Sequence, residues 1–226
     1  MFPTLLKRVG LGGVQLGNAL WVFWLYARDV AAFYHCRPLR QADLRLMKAY
    51  GLHSTFRLSA QATRSMPEDQ ADLTVYGETP WCTLARIAEA VALQPGEHFV
   101  ELGAGTGRNL LWAYYYAQAQ VTGYELVPAF VERFQTVKQN TVLPLYKKNW
   151  FEADLKALAG DVFLLVGTCY DDRHRQQAYV CLRQLPRGKR VVTISYPLPS
   201  ADFVLLRSFV SAFSWGKGTV FVHERM

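Results

Sequence analysis

The densest chemical signal is one octapeptide in mid-chain, Val100-Glu101-Leu102-Gly103-Ala104-Gly105-Thr106-Gly107. An apolar, strand-like run enters a glycine turn and a helix-forming stretch follows. Glycines let the backbone approach a ligand at the carboxyl end of a first strand, where open α/β sheets bind nucleotides. A dinucleotide loop would need a further glycine where Arg108 stands, and no Walker lysine follows. The acid two residues before the first glycine, Glu101, would repel a pyrophosphate. It suits a ligand with a positive ammonium group, such as the methionine end of S-adenosylmethionine.

Twenty residues after Gly105 comes Glu125, ending a second apolar run, Gly123-Tyr124-Glu125-Leu126. A carboxylate there accepts hydrogen bonds from both ribose hydroxyls. After a third strand, Asn149 and Trp150 are candidates for the adenine, an amide for its edge and an aromatic for its face. A fourth strand ends in Gly167-Thr168-Cys169-Tyr170-Asp171, where a transferable methyl should sit, and Tyr196 ends a fifth. That fourth-strand end is neither an Asn/Asp-Pro-Pro-aromatic turn for a nucleobase amine nor a Pro-Cys nucleophile for base methylation. His53, His98, His174 and His223 read as surface or strand-end residues, so no general base is assigned. Upstream, Val75-Tyr76-Gly77-Glu78-Thr79-Pro80 is open to two readings: a plain turn with Thr79 capping the next helix, or a lid over the cofactor.

The elements that must hold these residues alternate. Helices are expected at about 40–50 and 58–65, and Met66-Pro67-Glu68-Asp69 divides the chain. Beyond it the pattern predicts helix 81–93, strand 98–102, a helix to about 117, strand 120–126, helix 128–140 and strand 143–148. Strand 161–167, helix 171–185, strand 190–196, a helix at about 201–210 and strands near 213–215 and 219–224 complete it. The expected architecture is α/β: a Rossmann-like, seven-stranded, mostly parallel sheet over residues 67–226, with an N-terminal helical, hydrophobic extension over residues 1–66. Four cysteines without ligand spacing read as free thiols, and no metal site is expected.

The 226 residues carry a net charge of +7, all of it in the first third. Residues 1–66 hold nine basic side chains against two acids, Asp29 and Asp43, whereas residues 67–226 hold sixteen of each. A basic catalytic face for nucleic acid is therefore disfavoured. Val9 to Ala27 is uncharged, with aromatics toward its end. At about 1.5 Å per residue it reaches roughly 28 Å, the lower edge of a bilayer core. It predicts a membrane-spanning or interfacial anchor, with the larger domain on the cytoplasmic side under the positive-inside rule. If the segment instead packs on the domain or on a second subunit, a cytoplasmic protein is expected.

From Tyr76 onward the chain resembles the non-SET histone-lysine methyltransferases of the telomeric-silencing-disruptor type. The pieces are Tyr76-Gly77-Glu78-Thr79, the glycine turn with Glu101, and Phe213-Ser214-Trp215 before a final strand. It is similar also to the membrane-anchored lysine methyltransferases of the adenine-nucleotide translocase, through the N-terminal apolar segment, Gly123–Pro128 and Tyr196–Pro199. Short bacterial methyltransferase-domain proteins share the pattern as well. The resemblance implies class I, S-adenosylmethionine-dependent methyl transfer, with Tyr76, Glu78, Thr79, Glu101, Gly103, Gly105 and Glu125 touching the cofactor. Gly107, which completes the glycine turn, and Gly167, which closes the fourth strand, are expected to bind the cofactor as well. The histone enzymes carry an Asn-Asn pair where this chain has Gly167-Thr168.

The expected acceptor is a protein lysine amine. Such an amine must be neutral to attack, against a reference pKa of about 10.4, and burial beside a positive sulfonium lowers that value without a dedicated base. Tyr170 and Tyr196 are expected to wall the acceptor channel. Two other readings stand beside this one: a small-molecule or lipid methyltransferase at a membrane, and a catalytically silent cofactor-binding module.

Overall fold

A computed structural model describes residues 2–51, 53–137 and 143–226, with side chains from Gly17 onward. The chain opens with helices α1 (Phe2–Phe33), α2 (Arg37–Tyr50) and α3 (Thr55–Ser65), followed by a 3-10 turn at Glu68–Thr74. Then come α4 (Trp81–Ala90), β1 (His98–Leu102), α5 (Arg108–Tyr115), β2 (Gln120–Glu125), α6 (Pro128–Val137), β3 (Leu145–Lys147) and β4 (Val162–Leu165). The chain closes with α7 (Asp172–Leu182), β5 (Arg190–Ile194), β6 (Phe203–Phe213) and β7 (Gly216–Arg225). The end of the expected helix 128–140 falls partly on residues 138–142, outside the described residues.

The strands form one seven-stranded sheet in the order β3-β2-β1-β4-β5-β7-β6. The first five run parallel and β7 is antiparallel to both its neighbours. The order reverses between β1 and β4, which opens a crevice beyond the carboxyl ends of the central strands. These strands are buried on both faces, as continuous runs such as Val162-Phe163-Leu164-Leu165 require. The helix expected at 201–210 is a strand instead. An apolar run without turn signals satisfies either period, and hairpin pairing with β7, from Phe203↔Arg225 to Phe213↔Gly216, decides the matter.

The N-terminal helices share the core of the sheet. Phe33, Leu39, Ala42, Leu46 and Tyr50 are buried in one cluster with Trp81, Leu84, Leu111 and Phe130. On α1, Leu25 and Asp29 are buried, and the Trp21 indole donates to Phe213 O at 2.8 Å. No helix among the described residues is long and apolar enough to cross a membrane. The spanning reading of Val9–Ala27 is thus unsupported. From Trp21 onward one face of α1 packs on the domain, and the side chains before Gly17 lie outside those described.

Candidate cofactor and active site

Three glycines make the turn between β1 and α5 possible. Gly103, Gly105 and Gly107 have φ of 86°, 54° and 77°, a region costly for side chains bearing a Cβ. Space is restrictive as well: a Cβ on Gly105 would lie 2.8 Å from the Tyr76 ring, and one on Gly107 would lie 2.4 Å from Phe134. Gly107 thus serves the packing of α6 and is not among the cavity-lining residues.

Above the turn lies a cavity of about 280 Å³. Tyr76, Glu78, Thr79, Glu101, Gly103, Gly105, Glu125 and Tyr170 of the expected site residues line it. Asn149 and Trp150 line an adjoining recess that shares Leu73, Gly103, Glu125 and Tyr170 with it. Asn149 Oδ1 is occupied by Phe151 N at 3.1 Å, and the buried Trp150 donates to the Tyr170 hydroxyl at 3.1 Å. Gly167 lies just behind the wall, where a Cβ would meet Tyr170 at 2.8 Å and the Tyr196 hydroxyl at 2.9 Å. Tyr196 is set back from the cavity, with its hydroxyl buried and without a partner among the described residues. Burial first, and then the charges of Glu125 and Asp72, raise the Tyr170 pKa despite the Trp150 hydrogen bond. Burial likewise raises that of Tyr196. Both phenols stay neutral.

The two strand-end acids differ. Glu125 Oε2 accepts from Gly105 N and Oε1 from Val127 N, each at 2.7 Å. It therefore braces the glycine turn, and each oxygen keeps a further lone pair for a ligand. Burial raises its pKa, and those backbone bonds moderate the rise. Glu101 Oε1 accepts from Asn109 Nδ2 at 2.7 Å, while Oε2 has no partner among the described residues. Burial, opposed by Asn109 and reinforced by the charge of Glu125, pushes its pKa up to about 8.

The Tyr76–Pro80 turn forms the facing wall. Ser214 N donates to Glu78 O at 3.0 Å and Glu78 N to Ser214 Oγ at 2.8 Å, so the turn is tied to the β6–β7 hairpin, whose Trp215 also lines the cavity. Tyr76 donates its hydroxyl to Glu78 Oε1 at 2.6 Å. Thr79 does not cap α4. Its hydroxyl has no partner among the described residues, and the carboxylate of Asp29 from α1 takes Trp81 N and Cys82 N, each at 2.9 Å.

In the sequence Arg108 stands out only as the residue where a dinucleotide loop would need a glycine. In the structure it opens α5, lines the cavity and is gripped by both N-terminal acids, Nη1 on Asp29 Oδ2 at 2.9 Å and Nε on Asp43 Oδ1 at 3.0 Å. Burial opposes the charge of Arg108, but Asp43 and Asp29, with Glu78 nearby, more than offset it and hold its pKa above the ordinary value. A signal for this existed: Asp29 and Asp43 are the two acids of the first 66 residues. Two of the histidines are interior rather than surface residues. His223 is fully buried and accepts Leu198 N at 3.1 Å. His174 is buried, with Nδ1 2.9 Å from Asp72 of the cavity rim.

Residues 69–159 match the family model for the histone methylation protein DOT1. No curated protein matches the chain. Among solved structures, the chain is similar to an RNA methyltransferase from Salinibacter ruber in complex with S-adenosyl-L-homocysteine, at 22% identity and a TM-score of 0.55 over 66% of this chain and 93% of that one. A magnesium protoporphyrin IX methyltransferase from Synechocystis PCC 6803 with bound S-adenosylmethionine is 14% identical, at a TM-score of 0.53, over 80% and 90% of the two chains. A putative methyltransferase from Escherichia coli is 13% identical, at 0.52, over 66% and 88%. At such identities these likenesses speak for the fold. With the glycine turn, the strand-end acids and the family match in one place, the chain is a class I S-adenosylmethionine-dependent methyltransferase that resembles the DOT1-type enzymes.

Proposed function

We propose that the chain transfers a methyl group from S-adenosylmethionine to the amine of a protein lysine. The observation that carries this reading is the charge of the cavity. Its described lining holds four acids, Asp72, Glu78, Glu125 and Glu101, the last mostly protonated until a cation meets it, against one arginine already bound to two further acids. Such a lining attracts cations and repels phosphate, which favours a sulfonium, an ammonium and a lysine over nucleic acid. The family match to a histone methylation protein supports the same acceptor class.

Three buried polar atoms on cavity-lining residues have no partner among the described residues: Glu101 Oε2, Thr79 Oγ1 and Arg108 Nη2. Buried polar groups seldom stay unpaired, and an acid, a hydroxyl and a cationic donor suit a zwitterionic amino-acid end. Glu101 would take the ammonium, Thr79 and Arg108 the carboxylate, Glu125 the ribose, and Asn149 and Trp150 the adenine side. S-adenosylmethionine supplies a methyl that is already activated, so this chain's residues have to orient, desolvate and exclude water. Tyr170, half-buried and neutral, would form the apolar wall near Thr168, with Tyr196 supporting it from behind across Gly167. Burial in that wall lowers the pKa of an incoming lysine toward the neutral, nucleophilic form.

Labelling a lysate with tritiated cofactor tests the acceptor. Label in protein, released as methylated lysine on acid hydrolysis, is expected; label confined to RNA or to the organic extract would overturn the lysine assignment.

A further inference from the structure

Asp29 is 1% exposed, yet it lies on α1, remote in sequence from the cavity. Its two oxygens tie together the two segments that flank the site. Oδ1 accepts from Cys82 N, while Oδ2 accepts from Trp81 N and Arg108 Nη1, all at 2.9 Å. Trp81 opens α4 directly after the Tyr76–Pro80 turn, and Arg108 opens α5 directly after the glycine turn. The Trp81 indole closes the link, donating to Arg108 O at 3.1 Å and carrying the guanidinium 3.8 Å above its ring. Asp43 on α2 holds Arg108 Nε and is itself fixed by the hydroxyls of Tyr26 and Tyr34 at 3.0 and 2.8 Å.

We propose that Asp29, seconded by Asp43, is a positioning residue for the amino-acid end of the cofactor site. It sets the spacing of the two walls through Arg108 and the first turn of α4. The N-terminal helices thereby become part of the binding site. This rests on reading the cavity as the S-adenosylmethionine site. Thr79 and Arg108 both line the cavity, as does Glu101, which is bonded to Asn109, the residue after Arg108. Glu125 takes its hydrogen bonds from Gly105 and Val127, with none from α1 or α2 among the described residues. Weakening the clamp should therefore cost the methionine part of the ligand and spare the nucleoside.

The test is calorimetric titration of S-adenosylmethionine and of adenosine into the full-length protein and its Asp29→Asn and Asp43→Asn variants, each held well below its melting temperature. S-adenosylmethionine affinity is expected to fall about tenfold in D29N and about threefold in D43N, with adenosine within about twofold of wild type. A purely structural role would lower the melting temperature and leave that ratio alone. Equal losses for both ligands, or unchanged affinity for both, in folded variants overturns the proposal. If D29N does not fold, D43N, which removes no helix cap, decides by the same ratio. Failure of the wild type itself to bind S-adenosylmethionine would overturn the methyltransferase reading instead.

Discussion

Two pairs of buried acids stand on either side of the glycine turn, and the protein treats them oppositely. Asp29 and Asp43, both 1% exposed, have all four carboxylate oxygens bonded and a guanidinium between them. Glu101 and Glu125, at 2% and 7%, have no cation within salt-bridge distance among the described residues, and Glu101 keeps one oxygen unpaired. Burying a carboxylate is costly unless a cation and hydrogen bonds offset it. The first pair is offset within the fold and acts as architecture. The second has no such offset among the described residues, and burial, reinforced by the charge of Glu125, pushes the Glu101 pKa up to about 8.

The largest effect should come from breaking the first pair. Arg108→Met strands two buried carboxylates, for a loss of about 3–5 kcal/mol and a melting point lower by roughly 10 °C. A thermal melt showing less than about 1 kcal/mol would mean that the acids do not depend on the arginine.

Next in size is Glu125→Ala, which removes the expected ribose contact and the brace on Gly105. S-adenosylmethionine affinity should drop ten- to hundredfold, about 1.5–3 kcal/mol. Unchanged calorimetric affinity in a folded variant would sink the ribose assignment.

Glu101→Gln sharpens the comparison through protons. With a pKa of about 8, Glu101 is mostly protonated at pH 7 in the free protein and must ionise to meet an ammonium. Binding at pH 7 should therefore release close to one proton, readable as a dependence of the binding enthalpy on buffer, and affinity should tighten from pH 6 to 8. E101Q should show neither effect and should lose about tenfold for S-adenosylmethionine, more than for adenosine. Stability moves the opposite way with pH. Since the folded pKa lies above the ordinary 4.5, this group destabilises the free protein progressively as pH rises from about 4.5 to 8. An E101Q variant whose stability follows the wild-type pH curve would contradict that.

The smallest effect belongs to an exposed pair. Arg173 and Asp69 are 3.5 Å apart with 69% and 50% of their side-chain surface exposed. Arg173→Ala should change stability by less than about 0.5 kcal/mol, and less still in high salt. A loss above about 1 kcal/mol would show that solvent exposure is not what separates this pair from the Asp29–Arg108–Asp43 cluster.

What could be read from the sequence is what depends on neighbours along the chain. A turn needing three positive φ values demands Gly103, Gly105 and Gly107 in order. Strands buried on both faces demand unbroken apolar runs, and an acid at or next to the end of a strand lands near the carboxyl edge of the sheet, as Glu125 and Glu101 do. Ambiguity began where local chemistry permits two answers: the run at β6 suits a helix or a strand until β7 pairs with it, and Trp150 serves both core and recess.

The sequence by itself thus determined the parallel strands of the sheet, the glycine turn and the acids near the ends of the first two strands, because glycine backbone freedom and strand periodicity are properties of a few consecutive residues. Only the tertiary structure decided that Asp29 rather than Thr79 caps α4, that Arg108 is clamped by acids 79 and 65 residues away, and that Tyr196 stands behind the wall rather than in it. Ion pairs and orphaned polar atoms of that kind arise when distant segments are pressed together and lose their water, and the order of residues along the chain carries no record of which charges will meet.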